Sequence, residues 1–163
     1  MTQEVFYSFH FDVDHWRAAQ VRNMGVIAGK EPVSANEWEE VQRGGDAAIK
    51  RWIADQMKGC TCAIVLVGAE TSSRPWVKYE IGKAWNDGLG VLGVRIHGLK
   101  NSLGNTSLSG PNPFEGFDVR GTPFSQIVTL YNPVGSSSQA IYQNIHDNIP
   151  SLVESAIKIR KRY

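Results

Sequence analysis

The sequence contains little of what marks secreted or membrane proteins. Its 163 residues include only two cysteines, Cys60 and Cys62. The first residues are polar and lead directly into "VFYSF", so neither a signal-peptide core nor a long membrane span is expected. We therefore expect a cytoplasmic protein whose two thiols are reduced, mostly buried, and engaged in neither a disulfide nor a metal site.

An excess of charge is also absent. Lys and Arg number 17 against 16 Asp and Glu, which gives a formal net charge of +1. This balance provides no electrostatic reason for nucleic acid or an anionic membrane to be the main partner. The one local excess, the ending "KIRKRY", is typical of cations at a helix C-terminus. With no internal repeat and no linker, residues 1–163 are expected to form a single domain.

Strand-like and helix-like segments alternate along the chain. Residues 63–67 have no polar face, which favours a central position in a parallel sheet. Strands that alternate with helices at this spacing predict a doubly wound, three-layer α/β domain with five parallel strands. The strand-like segments are residues 5–9, a short stretch near 25–27, and residues 60–68, 91–98 and 126–133.

The first half of the chain carries two further expectations about helices. The first helix should place Val13 and Trp16 on one face, and Asp12 or Asp14 should form its N-terminal cap. Residues 26–43 lack a clear period and are expected to be irregular.

Later segments give three more expectations. A helix that begins at Asp46 places Ile49, Trp52, Ile53 and Met57 at helical spacing. The C-terminal helix should be interrupted or restarted at Pro150. Residues 99–123 are rich in Gly, Ser, Asn and Pro, and a segment that long without periodicity is usually functional or mobile.

Ligands of such sheets bind outside the carboxyl ends of the strands, which directs attention to residues 10–14, 28–45 and 68–75. His10, at the end of the first strand, fits either a satisfied structural histidine or a polar group that faces a ligand. Residues 88–93 match the pattern G-x-G-x-x-G, but they follow a helix and run into a strand. A dinucleotide fingerprint has the opposite order, so these glycines are interpreted as a helix stop and a turn.

A receiver-like signalling domain is a second possibility that the sequence argues against. Asp12, Asp14 and His15 follow the first strand and could suggest a phospho-acceptor or metal site. That chemistry also requires an aspartate after the third strand and a lysine after the fifth. The chain has "VGAE" and "LYNP" there instead.

The stretch "RPWVKYEIGKAW", residues 74–85, predicts a helix capped by Ser72 or Ser73, with Pro75 in its first turn. Its buried stripe should contain Val77, Ile81 and Ala84, joined by Trp85. Trp76, Glu80 and Lys83 fall on a neighbouring, partly exposed face at helical spacing. Spacing alone therefore indicates a solvated Glu80–Lys83 pair rather than a catalytic group.

Several longer segments nevertheless resemble one family. "SSRPWVKYEI" resembles the motif of TIR domains, in which a serine-rich loop after the third strand leads to a tryptophan and then to a glutamate four residues later. "VFYSFHF", "NEWEE", "DAAIKRWI", "CAIVLVGAET" and "GPNPF" are similar to the TIR-like family of the bacterial Thoeris anti-phage system, in the same order over most of the chain. The resemblance implies a flavodoxin-like, TIR-like fold.

The resemblance also implies an activity. Members of the family split the bond between nicotinamide and ribose in NAD and can join the ADP-ribose part into a cyclic messenger. Glu80 matches the catalytic glutamate, NAD is the substrate, and neither another cofactor nor a metal is expected. The implied partners are a product-sensing effector protein and, through self-association, a second copy of the chain. The implied substrate-binding residues are Ser8, Phe9, His10, Trp38, Asp46, Trp76 and Lys83.

Simple chemistry agrees with this assignment. Nicotinamide already leaves readily from its cationic form, so the barrier lies in the oxocarbenium ion that develops on the ribose, and a carboxylate stabilises that charge. Aromatic rings at Phe9 and Trp76 would cover a base and exclude water. Exclusion of water decides between a cyclic and a linear product. The alternative from another class is a catalytically silent TIR module that acts as an adaptor, which would not need Trp76 together with Glu80.

Overall fold

The centre of the fold is a parallel sheet, seen in a computed structural model that describes residues 4–29 and 35–163. The sheet contains five strands in the order β2–β1–β3–β4–β7, and the remaining pair, β5 and β6, is antiparallel. The strands are β1 (Glu4–Ser8), β2 (Ala28–Gly29), β3 (Cys62–Val67), β4 (Gly90–Arg95), β5 (Asp118–Val119), β6 (Thr122–Pro123) and β7 (Thr129–Tyr131).

Helices cover both faces of this sheet and complete a three-layer α/β fold of the flavodoxin-like type, as predicted. One face packs against the first and last helices, and the other packs against the third and fourth. The helices are α1 (Phe11–Asn23), α2 (Ala35–Arg43), α3 (Gly45–Met57), α4 (Pro75–Asn86) and α5 (Ser138–Arg160).

Strand β3 is the central strand, which the apolar run predicted. All six of its residues are buried. Ala63, Val65 and Val67 face the core under α3 and α4, while Ile64 and Leu66 face the core under α1 and α5. Both cysteines of the chain are buried as well. A strand covered on both faces has no use for alternating polar residues, which explains its continuous apolar sequence.

Two expectations about residues 25–43 need correction. The second strand is present but occupies Ala28–Gly29 rather than residues near 25–27, and it pairs with the start of β1. Residues 35–43 form helix α2, where we predicted irregular structure. Trp38 and Val41, three residues apart, provide the apolar contacts of α2 with the core, and such a short stripe was too weak to detect.

Helix α1 has Val13 and Trp16 on one face, as expected. That face is the outer one, since 37% and 51% of their surfaces are exposed, while Asp14 and Arg17 are buried. The two charged side chains enter the interior as an ion pair of 2.9 Å, and Arg17 also donates to the carbonyl of Leu99. Neither predicted aspartate caps the helix, because the N-cap residue is His10 and it makes no side-chain cap.

Residues 99–123 pack onto the rest of the protein at a few points, among them Leu99, Gly110 and Phe114, while most of the segment is exposed. The expectation that the segment is functional or mobile stays a prediction. Phe114 is completely buried, and its ring lies 5.7 Å from that of Phe124. The segment also approaches the end of β3 closely, since a β-carbon on Gly110 would lie 2.3 Å from the carbonyl oxygen of Gly68. Only a glycine allows the two backbones to meet at this distance.

Helix α5 continues through Pro150, although we expected an interruption there. Pro150 is exposed, so water can satisfy the carbonyl that loses its amide partner, and the buried residues Ile145, Ile149 and Val153 hold both halves on the sheet. Within residues 4–29 and 35–163, no helix is both long enough and apolar enough to cross a membrane.

Candidate active site

A pocket of about 220 Å³ opens at the carboxyl ends of the central strands, on the α3–α4 side of the sheet. This volume is below the roughly 300–1,000 Å³ of sites that enclose a drug-sized ligand, so it suits one ring with its sugar. Its walls are largely aromatic. The lining residues are Phe6, Tyr7, Phe9, His10, Phe11, Asp12, Trp38, Gln42, Trp52, Gln56, Arg74, Pro75, Trp76, Val77 and Glu80.

Glu80 is the carboxyl group of this pocket, and it is only 8% exposed. The prediction of a partly exposed position is therefore wrong. Helix α4 buries Val77, Ile81 and Ala84 as expected, and Glu80 lies beside that stripe, under the end of β1. The hydroxyl of Ser8 donates a hydrogen bond to Oε1 of Glu80 at 2.8 Å. Ser8 and Glu80 are 72 positions apart in the sequence, so a local sequence pattern could not predict this contact.

The environment of Glu80 favours its protonated form. Burial raises the pKa of the carboxyl from 4.5 to about 8, although the hydrogen bond from Ser8 lowers it. Among residues 4–29 and 35–163, no cationic side chain forms an ion pair with Glu80. A cation brought into the pocket by a ligand would therefore favour the carboxylate.

His10 lines the pocket, which is the position expected of a polar group that faces a ligand. It is 8% exposed, and its Nε2 atom lies 4.0 Å from a carboxylate oxygen of Asp12. Burial lowers the pKa of His10, and the neighbouring Arg74 guanidinium lowers it further, so the ring is neutral near pH 7. Within the part of the chain that the structure describes, its buried Nδ1 has no hydrogen-bond partner.

Aromatic side chains from four different elements face each other across the pocket. The ring of Trp38 lies 6.3 Å from that of Phe11 and 5.9 Å from that of Trp52. Trp76 also lines the pocket and meets Tyr79, outside the lining, edge to face at 5.5 Å. Rings held in this way offer flat apolar surfaces on which a base can stack.

The mouth of the pocket contains a cation and a helix terminus. Arg74 lines the pocket, is partly exposed, and approaches Glu70 at 3.6 Å. It is also the N-cap residue of α4, with no side-chain cap, and Pro75 occupies the first turn as predicted. The predicted cap is wrong, because Ser73 donates instead to the carbonyl of Glu70 in the preceding 3₁₀ turn. A guanidinium beside an uncapped helix N-terminus is suited to an anion.

The structure brings most of the predicted site residues together. Phe9, His10, Trp38, Trp76 and Glu80 line one pocket. Ser8 lies behind them and contacts Glu80.

Two of the predicted site residues lie elsewhere. Asp46 is exposed in the first turn of α3. Lys83 pairs with Asp87 at 2.8 Å and does not line the pocket. This geometry gives neither of them a contact with a ligand in the pocket.

Sequence analysis missed several lining residues: Phe11, Gln42, Trp52, Gln56 and Arg74. The spacing of Trp52, Ile49 and Ile53 predicts that all three belong to one apolar face of the helix. Ile49 and Ile53 are buried, whereas Trp52 is half-buried at the pocket. Arg74 had a usable signal, since it directly precedes the helix after the third strand, where ligands of such sheets bind.

The part of the chain that forms the pocket is similar in sequence to known proteins. The family model described as "Thoeris protein ThsB, TIR-like domain" matches residues 6–101, which include every residue that lines the pocket. A protein of Bacillus cereus (strain MSX-D12) with the provisional name cyclic ADP-D-ribose synthase ThsB1 is 36% identical over 120 residues. The match covers 71% of this chain and 62% of that relative, so the chain spans less than two thirds of the relative's length.

Proposed function

Because the chain belongs to the family of Thoeris ThsB proteins with a TIR-like domain, we propose that it cleaves NAD and releases nicotinamide. One observation carries this proposal: a buried carboxyl group, Glu80, lies in an aromatic pocket without a cationic partner among the described residues. Such a group costs stability in the empty protein. A substrate that develops positive charge beside Glu80 would stabilise its carboxylate and offset this loss of stability.

The proposed reaction begins with the nicotinamide–ribose half of NAD in the pocket. The bond between C1′ of the ribose and the pyridinium nitrogen breaks, and the nitrogen keeps the electron pair. The positive charge passes to C1′ and the ring oxygen of the ribose, where the carboxylate of Glu80 stabilises it. The pyridinium charge of bound NAD favours the ionised form of Glu80, so the substrate itself prepares the group.

The aromatic residues and Arg74 support a proposal for where the other parts of NAD bind. Trp76 and Phe9 are the surfaces proposed to cover the base and keep water out. A pocket of about 220 Å³ holds only half of the dinucleotide, so the diphosphate extends to the mouth. There the guanidinium of Arg74 and the uncapped N-terminus of α4 supply donors for its oxygens.

The product depends on which nucleophile reaches C1′. Water adds, loses a proton and gives linear ADP-ribose, whereas a group of the same molecule loses a proton and closes a ring. We propose a cyclic product, because seven of the fifteen residues that line the pocket are Phe, Tyr or Trp and the relative is named as a cyclic ADP-D-ribose synthase. In this proposal the product is a messenger for an effector protein in anti-phage defence, and the reaction takes place in the cytoplasm, where NAD is available.

Mass spectrometry of nucleotides tests the proposal in cells that express the protein, with and without phage infection. Three proteins are compared: the wild type, Glu80→Gln, and Lys83→Ala as a control on the same helix. The wild type and Lys83→Ala should release nicotinamide together with an ADP-ribose product. Glu80→Gln should be slower by about 10²–10³-fold, since it lacks the charge that faces the developing cation.

Two results would contradict the proposal in different ways. Near wild-type product from Glu80→Gln would remove Glu80 from the chemistry. If the wild type and Glu80→Gln were equally inactive during infection, and both still bound a protein partner, the chain would act as a silent adaptor.

A further inference from the structure

Ser8 has a position that distinguishes it from a ligand contact. It is the last residue of β1, it is 1% exposed, and it does not line the pocket. Side chains alternate along a strand, so Ser8 points to the same side of the sheet as Phe6, toward α3 and α4. Glu80 of α4 lies on that side, and the two groups meet below the floor of the pocket at 2.8 Å.

We infer that Ser8 is the positioning residue of this site: its hydroxyl holds one oxygen of the Glu80 carboxyl and leaves the other for the substrate. The inference rests on the proposed function for its catalytic meaning. Its structural part stands alone, because it concerns two side chains of the empty protein. It differs from the expectation that Ser8 binds substrate, since a fully covered hydroxyl acts on a ligand only through Glu80.

The chemistry of the contact supports an active role. A hydroxyl group buried among apolar side chains is costly unless it finds an acceptor, and the carboxyl oxygen is that acceptor. Conversely, the hydrogen bond favours the charged carboxyl and so opposes the effect of burial on the pKa of Glu80. Without Ser8, burial would raise the pKa of Glu80 further, because no hydrogen bond from the hydroxyl would oppose it. Less carboxylate would then be present near pH 7, and its oxygens would lose their fixed orientation.

Three substitutions separate this role from simple packing. Ser8→Ala removes the donor and one atom, and Ser8→Cys keeps the size but replaces the hydroxyl by a weak donor. Ser8→Thr keeps the hydroxyl and adds a methyl group. If the hydroxyl matters, Ala and Cys should behave alike, and Thr should resemble the wild type. If only packing matters, Cys should resemble the wild type, and Thr should be the most disturbed.

Two measurements on the full chain provide the readouts. The first is the pH profile of kcat/KM for NAD cleavage, in which activity rises as Glu80 ionises. For Ser8→Ala and Ser8→Cys the midpoint should move to higher pH by about one pH unit or more, with kcat/KM at neutral pH reduced about tenfold. Above the midpoint, where Glu80 is ionised in the free protein, KM for NAD should change less than twofold, because Ser8 does not touch the ligand.

The second measurement is the titration of the Glu80 carboxyl carbon by NMR in protein without NAD, with Glu80→Gln used to assign the signal. It needs no catalysis, so it still decides the inference if NAD proves not to be the substrate. The signal of Ser8→Ala and Ser8→Cys should titrate at higher pH than that of the wild type and of Ser8→Thr. An unchanged titration in Ser8→Cys, or a raised KM at an unchanged midpoint, would overturn the inference.

Discussion

Asp14 and Glu80 are both buried carboxyl groups near the carboxyl ends of the central strands, on opposite faces of the sheet, yet their surroundings differ. Asp14 is completely covered and forms a 2.9 Å ion pair with Arg17, which in turn is bonded to the carbonyls of Leu99 and Asn105. Glu80 opens onto a pocket and has the hydroxyl of Ser8 as its hydrogen-bond donor. Burial raises the pKa of both groups, but only Asp14 has a cation that opposes the change.

This difference separates a structural carboxyl from a functional one. A buried carboxylate that is paired with a cation contributes to the stability of the folded protein. Removing the cation leaves the carboxylate buried and unpaired, which lowers the free energy of unfolding. A buried carboxyl without a cationic partner keeps its capacity to meet a charge that arrives from outside. For this reason, a carboxyl group in a pocket with a strongly shifted pKa is a candidate functional group. A carboxyl group whose pKa is shifted within a structural ion pair is a weaker candidate.

The largest effect is expected when Asp14 loses its partner. Arg17→Leu leaves a carboxyl buried without a cation and also removes the donors to Leu99 and Asn105. We expect the free energy of unfolding, measured in urea near pH 7, to fall by about 3–5 kcal/mol. The double change of Arg17→Leu with Asp14→Leu should recover part of this loss. A fall below about 1 kcal/mol would mean that the two carboxyls do not differ in this way.

Glu80→Gln should have the opposite effect on stability. The folded pKa of Glu80, about 8, lies above its ordinary value of 4.5. The stability that its bound proton contributes is therefore fully present below pH 4.5 and is lost as the pH rises through about 8. An amide does not titrate, so the variant should match the wild type near pH 4.5 and be more stable near pH 8, by roughly 4 kcal/mol.

Thermal unfolding followed by circular dichroism at several pH values measures that difference. Glu154→Gln is the matched control, because Glu154 is 70% exposed and pairs with Lys158 at 3.6 Å on the surface of α5. Measured over the same pH range, it shows the effect of replacing a glutamate on the exposed surface. If Glu80→Gln behaved in the same way as this control, Glu80 would be solvated in the folded protein.

Arg74 tests whether the pocket continues into an anion site. Arg74→Ala should raise the KM for NAD by about ten- to a hundredfold, which corresponds to the loss of hydrogen bonds to a charged group. Inhibition by ADP should weaken by a similar factor, while inhibition by nicotinamide should be unchanged. Arg51→Ala is the control, since Arg51 is exposed on α3 and outside the pocket. If inhibition by ADP and inhibition by nicotinamide weakened equally, Arg74 would not bind the diphosphate.

The contrast between the carboxyls also explains what the sequence could predict. The parallel sheet and the central position of β3 follow from apolar runs and their spacing, which are local. The burial of Val77, Ile81 and Ala84 follows from helical spacing, which is also local. The exposure of Glu80 was mispredicted because its cover comes from β1, far away in sequence.

Which face of α1 is buried could not be read from the sequence for a related reason. Patterns assign charged residues to the surface, whereas Asp14 and Arg17 satisfy each other in the interior and leave Trp16 outside. Glu80 itself was found through resemblance to a family rather than through spacing. Pairings between distant residues are set by the fold and have no local signature.

Trp76→Ala should affect the product more than the fold. Loss of the ring removes stacking worth about 0.5–1.5 kcal/mol, which corresponds to a roughly two- to tenfold lower turnover. The enlarged pocket should also admit water, so the ratio of cyclic to linear ADP-ribose should fall. Mass spectrometry of both products from the same reaction measures the ratio. An unchanged ratio at normal turnover would mean that Trp76 does not cover the reacting sugar.

The smallest effect is expected at Lys83, which the sequence placed among the substrate-binding residues. Its ammonium group lies 2.8 Å from Asp87, four residues later on the outside of α4. Exposed pairs of this kind contribute about 0.3–0.5 kcal/mol. Lys83→Ala should therefore change the free energy of unfolding by about 0.5 kcal/mol or less and leave kcat and KM for NAD within about twofold.

This small result is informative because Lys83 is only three residues from Glu80 on the same helix. If function depends on the buried side of α4, two charged neighbours should differ by about 10²–10³-fold in their effect on turnover. Steady-state kinetics of both variants in parallel gives that comparison. A tenfold rise of KM in Lys83→Ala would show that the lysine leaves Asp87 to reach NAD, and the substrate would then extend over the outer side of the helix as well.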